Sequence, residues 1–181
     1  MKNELIQTAI AMWQEHGYHN ISINQICKNC GVTKGSFYYH FINKESVILE
    51  YYYQSINGLT LDIDGSLSYT EQIYQLIKES TEPISRLNTD IILVLLTSPQ
   101  IKEASNYTQS SFNDTYLARQ MVECCRKGQL SGEIRDNIDA EKLIDTLLIT
   151  MTGNIYRWIM DNKSFDLLKK DREELEIIIK K

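Results

Sequence analysis

The chain has 181 residues, a net charge of −5 and a hydrophobic content of 43%. This length suits one large domain or a small module joined to a larger one, and it is enough to bury a core without disulfides or metals. The composition excludes a disordered chain, and no apolar run approaches the roughly 18–20 residues of a membrane span.

The N-terminal stretch MKNELIQTAIAMWQEHG predicts an amphipathic helix over residues 2–16. Its apolar side chains recur at helical spacing, and Gly17 is placed to end the helix. Acids and glutamines stand where a signal peptide would be continuously apolar, so we expect a cytoplasmic protein. The inward face comprises Leu5, Ile6, Ala9, Ile10 and Trp13.

Capping residues predict two short helices joined by a tight turn. Ser22, followed three residues later by Gln25, has the chemistry of a capping box at the start of a helix. Gly31 supplies the permissive backbone of the turn, and Thr33 caps a second short helix that ends near His40. With one amphipathic helix in front, this is a helix-turn-helix unit of roughly 50 residues.

Cys27 and Cys30 form a C-x-x-C pattern that invites a zinc or a redox interpretation. A zinc site needs four ligands, and the other two cysteines, Cys124 and Cys125, are adjacent to each other with no histidine pair to complete a set. Cytosolic cysteines are mostly thiols. We therefore expect Cys27 to pack and Cys30 to end the second helix, with no metal and no cofactor bound.

The segment GVTKGSFYYHF, residues 31–41, carries more aromatic side chains than core packing explains. Phe37 and Phe41 are four residues apart and face inward, which leaves their neighbours on the outer and flanking faces. Tyrosine hydroxyls bond phosphate oxygens, their rings pack on sugars or thymine methyls, and a helix N-terminus offers N–H groups to an anion. The outward set is Lys34, Gly35, Tyr38, Tyr39 and His40.

The local charge favours DNA binding despite the acidic total. Three lysines and no acids lie between Lys28 and Lys44, and the first 50 residues hold four basic and four acidic side chains. Residues 51–181 therefore carry the whole net charge of −5. Such a protein is expected to bind DNA through one basic face and to dimerise, which adds contacts.

The run INQICKNCGVTKGSFYYHFINKE, residues 23–45, resembles the DNA-binding signature of the TetR family of bacterial transcriptional regulators. The likeness covers about residues 5–50 closely. One departure is cysteine at positions 27 and 30, where the family often has alanine, which is also small. The positions that stand where the family has them are the Gly31-Val32-Thr33 turn, Gly35, Tyr38, Phe41 and the Lys44-Glu45 pair.

The resemblance implies an all-α homodimer with two domains per subunit. Residues 1–46 would form a three-helix DNA-binding domain, and residues 47–181 a larger helical domain that binds a small molecule and dimerises. Ser22 would touch phosphate, and Lys44 would anchor the opposite edge of the unit. The full set of DNA-binding residues that the resemblance implies is Ser22, Thr33, Lys34, Gly35, Tyr38, Tyr39, His40 and Lys44.

Further helices are predicted at about residues 44–57, 70–86, 90–97, 108–127, 140–161 and 165–180. Asn43 caps the first of them. Pro83 is expected to kink or end the helix at 70–86, and Gly128 to end the helix at 108–127. The helix at 90–97 is almost wholly apolar and is therefore expected to be buried.

The last two helices carry broad apolar surfaces, from which we expect a four-helix dimer interface around a two-fold axis. Packing within one subunit alone is the alternative. The apolar residues are Leu143, Ile144, Leu147, Leu148, Met151, Ile155, Trp158 and Ile159 on the first helix, and Phe165, Leu168, Leu175, Ile178 and Ile179 on the second.

The C-terminal domain is rich in aromatic residues, so we expect a small effector that is apolar or aromatic. Its binding would move the fourth helix, change the separation of the two recognition helices and release a palindromic operator. Candidate effector contacts are Tyr74, Tyr107, Phe112, Tyr116, Met121 and Tyr156.

Two other classes of protein are weaker interpretations. No nucleophile elbow, P-loop, HExxH or dinucleotide glycine pattern occurs, and the three histidines include two within the helix-turn-helix unit, so an enzyme is not expected. A helical adaptor that binds a protein partner, with weak or lost DNA binding, is the remaining alternative.

Overall fold

The computed structural model describes residues 1–57, 63–97 and 116–181, without the side chains of residues 56 and 57. Apart from a single 3₁₀ turn, Tyr18–Asn20, the regular structure of these residues is α-helical, which confirms the predicted fold class. The helices are α1 (Lys2–His16), α2 (Ile23–Asn29), α3 (Lys34–His40), α4 (Lys44–Asn57), α5 (Tyr69–Ser85), α6 (Thr89–Thr97), α7 (Tyr116–Ser131), α8 (Ala140–Met160) and α9 (Leu167–Ile179).

The first helices begin and end where their caps predict. Gly17, with φ of 86°, ends α1 and donates its N–H to the Trp13 carbonyl. Ser22 and Gln25 form the predicted capping box at α2, and the Thr33 hydroxyl accepts the Ser36 N–H at the start of α3. Each bond satisfies a backbone group that a helix end leaves free, so local chemistry fixes these boundaries.

By contact density the described chain divides into two compact units. The first unit holds residues 1–55 and 83–97, and the second holds residues 56–57, 63–82 and 116–181. The first unit thus contains α1 to α3, nearly all of α4, and α6. Its buried side chains include all five inward residues predicted on α1, together with Ile26, Cys27, Phe37 and Phe41.

Three hydrogen bonds join the segment that leads into α6 to the end of α1, within the first unit. The Gln14 amide donates to the Arg86 carbonyl, and the Asn88 amide donates to the Gln14 carbonyl, at 2.9 and 2.7 Å. The Asp90 carboxylate accepts the Tyr18 N–H at 2.6 Å. In α6 itself Ile91 and Ile92 are buried while the next four residues are partly buried, less than the apolar run predicted.

The second unit is built around an apolar core shared by α5, α7, α8 and α9. At one end of this unit Glu133, which follows α7, caps α5: its carboxylate accepts the backbone N–H groups of Tyr69 and Thr70. These bonds lower the pKa of Glu133, although burial opposes them. The fully or nearly fully buried core residues include Ile73, Leu76, Ile77, Met121, Cys125, Ile134, Leu143, Leu147 and Leu175.

Two predictions about helix ends need correction or refinement. Gly128 does not end α7, which continues to Ser131. A Cβ at Gly128 would lie 2.5 Å from Ile134 Cδ1, so this glycine serves close packing. Gly132, with φ of 80°, stands directly after the helix. Pro83 lies within α5, two residues before its end.

Most of the apolar residues predicted to form a dimer face on α8 are instead buried within the subunit. These are Leu143, Ile144, Leu147, Met151, Ile155, Trp158 and Ile159. These residues pack against α7 and α9, because an amphipathic helix buries its apolar face against the core of its own subunit. None of the helices in the described ranges is long and apolar enough to cross a membrane.

Candidate nucleic-acid interface

The short helix α3 presents a row of polar and aromatic side chains to solvent. Tyr39 is 83% exposed and Tyr38 is 55% exposed, whereas Phe37 on the same helix is fully buried. The two tyrosine rings are therefore presented to solvent side by side, where they are available to a partner. Ser22, Thr33, Lys34 and Gly35 are exposed as well, as expected for groups that meet a ligand.

Two phenylalanines hold α3 in place beneath this row. The rings of Phe37 and Phe41 lie 5.4 Å apart, and both side chains are buried. The Tyr38 ring packs edge-on against Phe37 at 5.5 Å, so its exposed hydroxyl is carried on an anchored ring. Tyr39 has no such support from the core, and its ring contacts only His40 among the described aromatic residues.

A surface cleft of about 420 Å³ gathers four of the predicted residues: Ser22, Lys34, Tyr38 and Lys44. Sequence reasoning missed three polar neighbours in its wall, His19, Asn20 and Asn24. His19 and Asn20 belong to the 3₁₀ turn, which carries no strong capping or periodic signal. The cleft brings hydroxyl, amide and amine donors to one place, as a phosphate requires.

Lys44 differs from the other predicted DNA contacts because its amine is already engaged. It donates to the Tyr18 carbonyl at 2.7 Å and lies 4.0 Å from the centroid of the Tyr18 ring. Desolvation by burial lowers the pKa of Lys44. Lys44 therefore fixes the edge of the helix-turn-helix unit while it lines the cleft.

Tyr18 forms three hydrogen bonds at that edge of the helix-turn-helix unit. Sequence reasoning gave it no role. Its hydroxyl donates to Glu45 at 2.7 Å, its N–H donates to Asp90, and its carbonyl accepts from Lys44. Burial, followed by the hydrogen bond and the charge of Glu45, raises the pKa of Tyr18 far above its usual value. These partners are 26 to 72 residues away in sequence, so no local pattern indicates them.

His40 is partly buried, and its ring lies between those of Tyr39 and Phe41, with centroid distances of 4.9 and 6.2 Å. Its Nε2 atom is buried and has no hydrogen-bond partner among the described residues. Such an atom costs free energy, and DNA would reach it only if the His40 ring turned outwards. Lys28 and Lys34 likewise form no ion pair with any residue in the described part of the chain, so both amines are available to phosphates.

The family model for "Bacterial regulatory proteins, tetR family" matches residues 5–51, the stretch that carries this interface. Residues 5–51 are thus similar to the TetR family of transcriptional regulators.

Two relatives match this chain along most of its length. The fatty acid metabolism regulator protein of Bacillus subtilis is 22% identical over 97% of this chain and 92% of the relative. The probable acrEF/envCD operon repressor of Escherichia coli K12 is 25% identical over 93% of this chain and 80% of the relative.

A solved structure shares the fold. FadR of Thermus thermophilus, a TetR-family transcriptional repressor in complex with lauroyl-CoA, superposes with a TM-score of 0.75 and 18% identity. The match covers 98% of this chain and 93% of that chain. The likeness confirms the all-α architecture.

The predicted effector contacts of this regulator lie in different surroundings. Met121 is fully buried in the core of the second unit, and Tyr74 packs against that core with its ring 4.6 Å from the Arg172 guanidinium. Tyr116 and Tyr156 are 51% and 47% exposed. The structure thus brings Met121 and Tyr74 to one core. Two further predicted contacts, Tyr107 and Phe112, lie outside the described residues.

A groove of about 450 Å³ between α8 and α9 contains none of the predicted effector contacts. Arg157, Lys169 and Lys170 line it beside Phe165, and two acids, Asp166 and Glu173, face the same space. Lys170 is paired with Glu174 at 2.7 Å, and Asp166 caps α9 by accepting the Lys169 N–H. The mixture of charges leaves little excess positive field for an anion.

Proposed function

We propose that this regulator is a cytoplasmic repressor that binds a palindromic operator as a homodimer and is released by a small apolar effector. The observation that carries the proposal is the exposed face of α3, where Tyr39 and Lys34 stand free above a buried phenylalanine pair. A recognition helix places such side chains in the major groove, where base edges and phosphates become their partners.

We assign the reading of DNA to the residues that the resemblance implies. Tyr39 and His40 face base edges or sugars, and Lys34 and Tyr38 bind phosphate beside Ser22 in the cleft. Gly35 fits a close backbone approach, because a Cβ there would meet only Thr33 Oγ1, at 3.6 Å, within its own subunit. No intramolecular packing demands that glycine, which supports a role in the complex.

The dimer in this proposal uses a stripe on α8 that the core leaves uncovered. Ile149, Tyr156 and Met160 are 65%, 47% and 49% exposed and recur on one side of the helix. Gly153 lies within the stripe, and a Cβ there would meet nothing within 4 Å in the subunit. A glycine that its own subunit does not require fits the close approach of a partner helix.

For the effector, we propose a fatty acyl-CoA thioester as the first class to test. The support is the similarity to a fatty acid metabolism regulator and to a FadR structure that holds lauroyl-CoA. An acyl chain also satisfies the expectation of an apolar ligand in a largely apolar unit. Its binding would favour a state of the dimer with lower operator affinity.

The test begins with selection of operator DNA by the full-length protein from a random pool. We expect an inverted repeat with half-sites about one helical turn or a multiple apart. Tyr39→Ala should abolish the shift without changing the melting temperature or the helical circular dichroism signal. If the protein selects no sequence yet captures a defined protein partner, the adaptor function replaces the proposal.

The dimer is tested with two open glycines. Gly153→Arg should convert the dimer to a monomer in sedimentation experiments and weaken operator binding. Gly65→Arg is the matched control, because a Cβ at Gly65 also meets nothing within 4 Å and Gly65 lies outside the α8 stripe. If both variants remain dimeric, the interface lies elsewhere.

The effector is tested with lauroyl-CoA against free CoA and free lauric acid. We expect only lauroyl-CoA to weaken operator binding, by a factor on the order of 5–150. If lauroyl-CoA does not bind, the acyl-CoA assignment fails while the repressor and its operator stand.

A further inference from the structure

Two thiols lie one helical turn apart at the end of α2, directly before the recognition helix. Cys27 is buried, with 4% exposure, while Cys30 occupies the C-cap position and is partly exposed. Neither has a role in reading DNA. No cluster of three or more potential metal ligands occurs among the residues that the structure describes, so the pair is not part of a metal site there.

The helical backbone places the Cα atoms of the two cysteines within the range found for disulfides. Cys30 retains helical dihedrals, with φ of −82° and ψ of −2°, and its N–H donates to the Ile26 carbonyl at 3.0 Å. Residues three apart on a helix have Cα atoms about 5 Å apart. That distance lies inside the range of about 4.4–6.8 Å found for disulfides. Burial, and then the nearby Cys30 thiol, raise the pKa of Cys27.

We propose that Cys27 and Cys30 form a reversible disulfide when the cell meets hydrogen peroxide, and that this disulfide lowers operator affinity. The Cys30 sulfur attacks one peroxide oxygen, the O–O bond breaks, and a sulfenic acid and one water form. The Cys27 sulfur then attacks the Cys30 sulfur and displaces the hydroxyl as a second water. Two thiols are oxidised to one disulfide, and one peroxide is reduced to two waters.

The order of the two steps follows from exposure. Cys30 meets solvent and is oxidised first, whereas Cys27 is shielded and its raised pKa keeps it protonated. The pair therefore stays reduced in the reducing cytosol and reacts only under a sustained oxidant load. The disulfide then forms within one chain, at the end of α2.

The effect on DNA binding follows from what Cys27 supports. Its carbonyl accepts the Val32 N–H at 2.9 Å, which closes the turn between α2 and α3. Its thiol is close enough to Lys34, the first residue of the recognition helix, for that charge to act on its pKa. A disulfide draws the Cys27 sulfur out of the core towards Cys30. The packing beneath the start of α3 then changes, which displaces Lys34 from the cleft.

The experiment uses the full-length protein and the operator selected with reduced protein. Hydrogen peroxide should remove the mass of two hydrogen atoms per chain, and peptide mapping should link position 27 to position 30. Operator affinity should fall about tenfold or more and recover with dithiothreitol. Cys27→Ala and Cys30→Ser, tested separately, should bind operator when reduced and lose the response to peroxide.

A third variant, Cys124→Ala/Cys125→Ala, is the matched control and should respond like the parent. If Cys27→Ala fails to fold, Cys30→Ser decides alone, because Cys30 is not buried. The inference fails if the two thiols stay unlinked under peroxide, if the link forms between chains, or if the linked protein binds operator unchanged. The effect on DNA binding rests on the proposed function. If the reduced protein binds no DNA, that result contradicts the proposed function and not the disulfide.

Discussion

Lysine and arginine side chains are used differently in the two units. In the second unit most of them face an acid, as in Lys78–Glu82, Lys127–Glu123 and Lys170–Glu174. In the first unit Lys2 pairs with Glu50, but Lys28 and Lys34 have no ion-pair partner within the described ranges. Lys44 donates to a carbonyl and lies over an aromatic ring.

This contrast explains how an acidic protein binds an anion. Exposed ion pairs contribute little stability, about 0–1 kcal/mol each, but they cancel the charge of the cations that they hold. Cations left unpaired beside α3 meet phosphate without first breaking an intramolecular partner. The net charge of −5 therefore belongs to residues 51–181 and says little about the proposed DNA-binding surface.

The largest effect on operator binding is expected when the charge of one unpaired cation of the first unit is reversed. We expect Lys34→Glu to weaken operator binding about 100-fold, because each subunit of the dimer replaces an attraction to phosphate with a repulsion. Electrophoretic or fluorescence titration at fixed salt measures the change, and the melting temperature should stay the same.

Lys78→Glu is the matched control for that substitution, since it reverses a cation of the second unit that is already paired with Glu82. We expect it to change operator affinity by less than about threefold, at the cost of one weak surface pair. Equal losses in the two variants would mean that total charge, and not its placement, controls binding.

A second prediction concerns a buried acid of the second unit; no acid of the first unit is buried among the described residues. Asp171 is fully buried, with its Oδ1 atom accepting from the Asn154 amide at 2.9 Å. Burial raises the pKa of Asp171 to about 6, against hydrogen bonds from Asn154 and Thr81 that oppose the shift. The folded state therefore holds this proton more tightly than the unfolded state, and stability from this group falls as pH rises from 3.8 through about 6.

Asp171→Asn removes the cost of a buried charge above that range. We expect the unfolding free energy of the variant, relative to the parent, to be about 2 kcal/mol more favourable at pH 7.5 than at pH 4.5. Urea titrations at the two pH values measure it. A difference that is flat with pH would show that Asp171 keeps an ordinary pKa in the folded state.

The same contrast separates what sequence reasoning predicted from what it could not. The boundaries of α1 to α3 followed from Gly17, Ser22 and Thr33, because a cap acts on backbone groups within three residues of itself. The outward direction of Tyr39 followed from helical spacing against Phe37 and Phe41. Signals of this kind are local, and they cover most of the first unit.

Contacts between distant segments were beyond the sequence. Tyr18 gathers Lys44, Glu45 and Asp90, and no pattern near Tyr18 indicates any of them. Helical periodicity also identified the apolar residues of α8, but it does not tell whether they pack within the subunit or against a partner. Most proved to be buried in the subunit, and the exposed stripe at Ile149 and its neighbours could be told apart only from the packing.

A third prediction uses two helical glycines of the second unit. Gly128→Ala should cost about 1–2 kcal/mol, because the new Cβ would lie 2.5 Å from Ile134 Cδ1 and the strain exceeds the gain in helix propensity. Gly153→Ala should not destabilise the subunit, since its Cβ enters open space. Denaturant titration measures both, and equal effects would mean that the Ile134 side chain moves aside freely.

The smallest expected effect comes from removing one helix cap in each unit. Thr33 caps α3 by accepting the Ser36 N–H, and Asp139 caps α8 by accepting the Glu141 N–H. Thr33→Ala and Asp139→Ala should each lower the free energy of unfolding by about 1 kcal/mol, because each leaves a helix N–H unsatisfied. Thermal or urea unfolding measures this common loss.

Only the cap of the first unit should also affect DNA. Thr33→Ala should weaken operator binding about tenfold, since α3 frays at the end where Lys34 and Gly35 meet phosphate, whereas Asp139→Ala should leave affinity unchanged. Thr33→Ser, which keeps the hydroxyl, should restore both properties. If Asp139→Ala weakens binding as much as Thr33→Ala does, general stability controls operator affinity, and the free cations of the first unit lose their special role.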